Sequence, residues 1–133
     1  MCLLLTACHV ETSDNGDLDG LWQLAYMEDL QTGQVRDCRD DNLSWAFQWH
    51  LLVMRGGEEV LFRFQLDGAT LTVSNPYLSG RFTETRDDTP VSDPAVLNVY
   101  GVYQLEERFQ VLQLDDSHMT LQSDRVRLSL RKY

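Results

Sequence analysis

Alternating apolar and polar residues make residues 43–54 the strongest structural signal in the chain. The odd positions of residues 43–49 carry leucine, tryptophan, phenylalanine and tryptophan, whereas the even positions carry serine, alanine and glutamine. Successive side chains of a β-strand point to opposite faces, so a period of two predicts a strand. A helix would scatter Trp45, Phe47 and Trp49 around its circumference. We therefore predict one long strand over residues 43–54 with a single aromatic face.

The same pattern predicts seven further strands, which are short and mostly separated by turn residues. They cover residues 20–27, 59–66, 69–74, 77–85, 109–114, 118–123 and 126–131. Gly56-Gly57 and Asp67-Gly68 favour tight hairpins, and Asn75-Pro76 predicts a turn. Asp93, Pro94 and Gly101 provide the cap, the first residue and the end of one short helix over residues 93–101.

This order of elements predicts an all-β fold. Strands that follow one another through tight hairpins run antiparallel, and closing the resulting sheet on itself removes its exposed edges. We therefore expect residues 20–133 to form an eight-stranded antiparallel up-and-down barrel. With eight strands, the interior is either filled by side chains or holds one small ligand.

Composition narrows the functional classes. The 133 residues fit one domain, and their net charge of −10 argues against nucleic acid and anionic membrane surfaces as partners. The three cysteines and three histidines have no metal-binding spacing, so we expect no metal and no cofactor. Motifs for nucleophilic catalysis or phosphate binding are absent. Adjacent carboxylates such as Glu106-Glu107 would point to opposite faces of a strand. We therefore expect no enzymatic activity.

The first residues resemble the lipobox of bacterial lipoproteins. Leu5-Thr6-Ala7-Cys8 follows a short leucine run, and the resemblance implies cleavage before Cys8 and acylation of its sulfur. No lysine or arginine precedes Cys8, so we expect residues 1–7 to be a truncated signal peptide whose true start lies upstream. Residues 8–19 are polar and acidic, which predicts a flexible tether.

The location implied by this resemblance is the bacterial cell envelope. The protein would be lipid-anchored to the outer membrane through Cys8, and the acidic tether is similar to those of surface-exported lipoproteins of Bacteroidota. The alternative is a leucine-rich start that arose by chance in a cytosolic protein. Membrane contact is expected only through the anchor.

Gly20-Leu21-Trp22, which opens the first strand after a polar leader, resembles the Gly-x-Trp motif of lipocalins. In that superfamily the tryptophan packs at the closed end of the barrel, and an arginine from near the C-terminus lies across it. The resemblance implies that Arg131 or Arg127 has this role. Residues 20–133 as a whole look like the lipocalin-like domains of small Bacteroidota lipoproteins.

Two functions from different classes remain open. The first is binding of a small hydrophobic molecule by aromatic side chains that we expect to face the barrel interior: Tyr26, Trp45, Phe47, Trp49, Phe62, Phe64 and Phe82. The second is a protein-interaction module, an assembly partner or inhibitor in the envelope, with the charged loops 37–41 and 86–88 as candidate contacts. In that case the same aromatic residues, which bury roughly 150–250 Å² each, fill the barrel as its core.

Overall fold

The computed structural model describes residues 15–81 and 83–133, which form ten β-strands and two 3-10 helices. The strands are β1 (Gly20–Asp29), β2 (Val35–Asp37), β3 (Ser44–Gln48), β4 (Leu51–Arg55), β5 (Val60–Asp67), β6 (Thr70–Leu78), β7 (Thr89–Pro90), β8 (Glu107–Leu114), β9 (His118–Gln122) and β10 (Val126–Lys132). The 3-10 helices span Gly16–Leu18 and Pro94–Tyr100. Neither of these helices is long and apolar enough to cross a membrane.

Eight of the strands close into one antiparallel barrel, as the sequence predicts. Their order around the barrel is β1, β3, β4, β5, β6, β8, β9 and β10, and pairing of β10 with β1 completes the circle. The short strands β2 and β7 add to β1 and β6 outside this path. The eight strands are not the eight that we predicted. The predicted strand over residues 43–54 forms two strands, β3 and β4, whereas the predicted strands over residues 69–74 and 77–85 contribute to one strand, β6.

Residues 43–54 form a hairpin rather than one long strand. Strands β3 and β4 pair so that Gln48 lies opposite Leu51, which leaves Trp49 and His50 as a two-residue turn. Trp49 has a φ of 54°, in the left-handed region that turns use. The apolar face changes from odd to even positions at this turn, because the buried residues on β4 are Leu52 and Met54.

A β-bulge in β1 reverses the inward and outward positions of the second half of that strand. Leu24 lies opposite Leu130, but Tyr26 lies opposite Ser129, so Ala25 is the extra residue. Trp22 and Leu24 are buried before the bulge and Met27 is buried after it.

A second bulge stands where we predicted a turn. On β6, Tyr77 lies opposite Leu61 and Ser74 lies opposite Arg63, so Asn75-Pro76 adds one residue to the strand and does not end it. The predicted strand over residues 77–85 is therefore wrong beyond Leu78, where β6 ends and a loop leads to β7.

The two ends of the barrel differ in what they carry. The lower end contains the first 3-10 helix, the start of β1, the end of β10 and the turns at residues 49–50, 68–69 and 115–117. The upper end contains the β4–β5 connection and the second 3-10 helix. Between them, buried apolar side chains form one continuous core.

The second 3-10 helix confirms the predicted short helix and covers the upper end. Asp93 caps it by accepting a hydrogen bond from the Ala95 amide at 3.0 Å, and Gly101 ends it with a φ of 86°. A side chain at Gly101 would approach Leu128 Cδ2 to 2.6 Å, so the chain requires glycine here. The helix buries Leu97 and Tyr100 completely. The Tyr100 hydroxyl donates to the Glu58 carbonyl at 2.5 Å and accepts from the Gly57 amide at 3.0 Å.

Candidate functional site

Aromatic side chains fill the middle of the barrel. Trp45, Phe47 and Phe62 are at most 2% exposed, as their predicted inward positions require. The Trp45 ring centroid lies 5.7 Å from that of Phe109 and 6.2 Å from that of Phe47, and Phe64 packs edge-on against Phe47 at 5.0 Å. These rings belong to one continuous cluster of buried apolar side chains. The interior is therefore packed.

Two of the predicted interior residues lie on the outside. Tyr26 is 36% exposed, beneath the Arg39 guanidinium at 5.3 Å, because the bulge at Ala25 turns it outward. Trp49 is 53% exposed, because it occupies the β3–β4 turn instead of a strand. Phe82 lies outside the described residues.

A lysine, and not an arginine, crosses the tryptophan at the lower end. Trp22 is fully buried, and its indole N–H donates to the Leu18 carbonyl at 2.9 Å. Lys132 lies directly opposite Trp22 in the β1–β10 pairing, and its Nζ is 4.8 Å from the Trp22 ring centroid. Gly20 has a φ of 124°, which residues with a side chain rarely adopt, and this explains the glycine before Trp22.

The predicted role of Arg131 is therefore wrong. Arg131 lies opposite Gln23, one position out of phase with Trp22, and its Nε donates to Gln23 Oε1 at 2.6 Å. Arg127 lies farther along β10 and pairs with Glu28 at 3.3 Å. Alternation along the strand turns both arginines away from the side that carries Trp22.

The outer wall of the barrel contains a groove beside the β6 bulge. This wall groove has a volume of about 580 Å³ and is lined by Leu51, Leu61, Phe62, Arg63, Asn75, Tyr77 and Asp88. Sequence reasoning missed it, because Leu51, Leu61 and Tyr77 occupy outward strand positions; of the predicted site residues only Phe62, which is buried, lines it. The one signal was Pro76, since a proline within a sheet often marks a bulge.

An apolar stripe leads around the wall to this groove. Ala46 lies opposite Val53, Val53 opposite Leu61, and Leu61 opposite Tyr77, so one row of outward side chains crosses four strands. Tyr77 is exposed, and the other three members of the row are half-buried. Leu51, two residues before Val53 on β4, is exposed beside the row. Contiguous exposed apolar surface of this kind often marks an interaction site.

Charges in the predicted contact loops are arranged differently in the two loops. In loop 37–41, hydrogen bonds from Arg39 lower the pKa of Asp37 to about 2, and Arg36 pairs with Asp41 at 2.9 Å. These charges compensate one another locally. In loop 86–88, Asp88 accepts a hydrogen bond from the Gly80 amide at 2.8 Å and lines the wall groove.

Comparison with protein families identifies the fold. A family model described as a lipocalin-like domain matches residues 3–133. The chain belongs to the lipocalin-like domain family. Its expected lipocalin-like architecture is thereby confirmed, with Lys132 in the position we predicted for an arginine.

Solved structures show the same lipocalin-like fold. A lipocalin-like protein from Bacteroides uniformis is similar over 89% of this chain and 100% of its own, with a TM-score of 0.65 and 22% identity. An uncharacterized protein from Bacteroides eggerthii is similar over 87% of this chain and 99% of its own, with a TM-score of 0.58 and 17% identity. A search of curated proteins found no match.

One polar group inside this lipocalin-like barrel has no partner. The Trp45 indole N–H is buried and donates to no acceptor among the described residues. Leaving such a donor unpaired costs about 1–3 kcal/mol. The position would therefore favour a buried water or one acceptor atom of a ligand.

Two further buried groups, Glu107 and Cys38, are ionisable. Glu107 accepts a hydrogen bond from the Tyr103 amide at 3.1 Å, and burial raises its pKa. Burial likewise raises the pKa of the Cys38 thiol, which makes it a poor nucleophile. Within residues 15–81 and 83–133, no three metal-ligating side chains converge.

Proposed function

We propose that this chain is a non-catalytic envelope lipoprotein whose lipocalin-like barrel binds a protein partner through the wall groove. The packed interior supports this proposal, because contacts among Trp45, Phe47 and Phe109 occupy the space that a ligand would need. Both ends are also covered, by Trp22 below and by Tyr100 above.

The wall groove is the observation that carries the proposal. Its apolar rim, formed by Leu51, Leu61 and Tyr77, fits an inserted apolar side chain, and Arg63 and Asp88 provide charges beside it. The net charge of −10 attracts a basic surface and speeds its approach. The partner we propose is therefore a basic envelope protein that inserts an apolar side chain into the groove.

Site-specific photocrosslinking tests this proposal. A benzophenone amino acid replaces Tyr77 in the groove or, as the control, Leu112, which is also exposed but lies on β8 away from the groove. We expect position 77 to capture one partner, which once purified binds the Tyr77→Ser variant at least tenfold more weakly than the wild type. The Leu112→Ser variant should bind normally. Equal capture at both positions, or equal binding by both variants, would contradict the proposal.

Anchoring through Cys8, which lies outside the described residues, is a separate part of the proposal. The sequence Leu5-Thr6-Ala7-Cys8 supports it. We expect labelled palmitate to enter the full-length protein and to be lost in Cys8→Ala. Label that persists in Cys8→Ala would place the lipid elsewhere, and no label in the wild type would contradict lipidation.

A second candidate function is binding of a small hydrophobic molecule inside the barrel. The unpaired Trp45 N–H favours it, since a ligand with one acceptor atom would satisfy this donor. The ligand would have to displace core side chains or the second 3-10 helix. A panel of saturated fatty acids tests it: a shift in melting temperature that disappears in Trp45→Phe would support carriage. No shift across the panel would count against it.

A further inference from the structure

The lower end of the barrel exposes large apolar side chains where the chain leaves toward Cys8. Trp49 is 53%, Tyr133 67% and Leu21 43% exposed. The Asn15 side chain donates to the Trp49 carbonyl at 2.9 Å, and the Tyr133 amide donates to the Leu21 carbonyl at 3.1 Å. The side chains of Trp49, Tyr133 and Leu21, which we call the lower-end patch, therefore lie at the same end of the molecule as Asn15, the first described residue.

Trp49 is an unusual residue for a solvent-exposed turn with a left-handed backbone conformation. Its φ of 54° is uncommon for a bulky residue, and asparagine or glycine would adopt it at lower cost. Strain of this kind is often retained at functional positions. An exposed tryptophan at the tip of a hairpin is also suited to a membrane interface, where its apolar ring and its polar N–H meet different surroundings.

The tether limits how far this end can lie from a lipid anchor. Cys8 precedes Asn15 by seven residues, which span at most about 25 Å when fully extended. The upper end lies farther away by the length of the strands. The lower end, and not the second 3-10 helix, is therefore the end nearer to the anchor.

We infer that the lower-end patch rests on a zwitterionic bilayer surface, with Trp49 inserted at the headgroup level. Carboxylates at the same end, Asp17, Asp67, Asp115 and Asp116, outnumber Lys132 and disfavour an anionic surface. Hydrogen bonds from the Ser117 and His118 amides lower the pKa of Asp115 to about 2, so its charge persists at neutral pH. This inference rests on the proposed anchoring through Cys8.

Fluorescence of a chemically tethered chain tests the inference independently of natural lipidation. In the full chain with Cys2→Ser, Cys8 is coupled to a maleimide lipid in phosphatidylcholine vesicles, since Cys38 is fully buried. Trp22 and Trp45 are also fully buried, so the difference in emission between this chain and its Trp49→Phe variant reports on Trp49. We expect Trp49 emission to shift to shorter wavelength and to fall at least twofold when the lipids carry bromine near the headgroups.

A matched reporter on the upper part of the wall provides the control. Tyr77→Trp in the Trp49→Phe background should show no quenching by brominated lipid. Replacing half of the phosphatidylcholine with phosphatidylglycerol should weaken quenching of Trp49. The inference is overturned if Trp49 emission is the same with and without the vesicle, or if position 77 is quenched equally. Absence of palmitate on natural Cys8 would instead refute the anchoring itself.

Discussion

The lower and upper ends of the barrel are closed by different kinds of contact. At the lower end, Trp22 is held by Leu18, four residues before it, and by Lys132, its direct neighbour across the β1–β10 pairing. At the upper end, the second 3-10 helix is held by Tyr100, whose hydroxyl forms hydrogen bonds with Glu58 and Gly57. These partners precede Tyr100 by 42 and 43 residues. The lower end is thus closed by strand β10 and by the 3-10 helix directly before β1, whereas closure of the upper end depends on the long connection between β6 and β8, which the Tyr100 side chain secures.

Among substitutions at the two ends, removal of the Trp22 ring should have the largest effect on the free energy of unfolding. Trp22→Ala deletes a fully buried ring and should lower the free energy of unfolding by about 3–5 kcal/mol, as measured by urea titration. Trp49→Ala, at an exposed turn, is the control and should change it by less than about 0.5 kcal/mol. Similar losses in both variants would mean that Trp22 does not hold the lower end.

Removing the hydroxyl of Tyr100 should loosen only the upper end. Tyr100→Phe leaves the Gly57 amide and the Glu58 carbonyl without this partner and should cost about 1–3 kcal/mol. Hydrogen exchange should accelerate at Gly57 and in the second 3-10 helix but not in β1. Tyr103→Phe, whose hydroxyl lies 3.9 Å from Met27 Sδ, is the control with little change. Faster exchange in β1 would show that the two ends open together.

Neutralising Lys132 should affect the lower end more weakly. Lys132→Met keeps an apolar stem but removes the charge over Trp22, which should cost about 0.5–1 kcal/mol and change the Trp22 emission. Arg131→Met removes a charge one position away and should leave that emission unchanged. An equal response to both substitutions would contradict the role assigned to Lys132.

Two carboxyl groups near the upper end, Glu107 and Glu59, have pKa shifts of opposite sign, so variants of the two should respond to pH in opposite directions. Burial raises the pKa of Glu107 in the folded state, so folding stability is lost as the pH rises through that value. Glu107→Gln should remove this loss. The stability of the variant relative to the wild type should therefore be higher at pH 8 than at pH 4.

Glu59 is the control of opposite sign. Burial acts to raise its pKa, but hydrogen bonds from Arg55 and Ser79 and the charges of Arg55 and Arg81 outweigh it, and the pKa is lowered. The stability that the Glu59 carboxylate contributes is present at neutral pH and lost as the pH falls. The stability of Glu59→Gln relative to the wild type should therefore be lower at pH 8 than at pH 4. The same pH trend in both variants would contradict these assignments.

The C-terminal part of the barrel could be predicted from the sequence, because its turns have recognisable residues. Asp115 to Ser117 and Ser123-Asp124 separate β8, β9 and β10 clearly, and these strands lie within one or two residues of the predicted ones. The turn at Trp49-His50 contains no glycine, proline or asparagine, so only the change of apolar phase along residues 43–54 could have revealed it.

The wall groove and the partner of Trp22 could not be predicted, because both depend on the register between distant strands. A single bulge at Ala25 decides that Tyr26 faces outward, and another at Asn75-Pro76 opens the groove. The choice of Lys132 over Arg131 likewise follows from which residue of β10 lies opposite Trp22. Alternation within one strand contains no information about its neighbour.

The central claim, that the barrel interior is packed and binding takes place outside it, can be tested most directly by one crystal structure. The protein should be purified from its native cells, so that any natural ligand is retained. We predict that Trp45 remains in contact with both Phe47 and Phe109, with at most one water beside the Trp45 N–H. Continuous density inside the barrel, with Phe47 or Phe109 rotated away to admit it, would contradict the account.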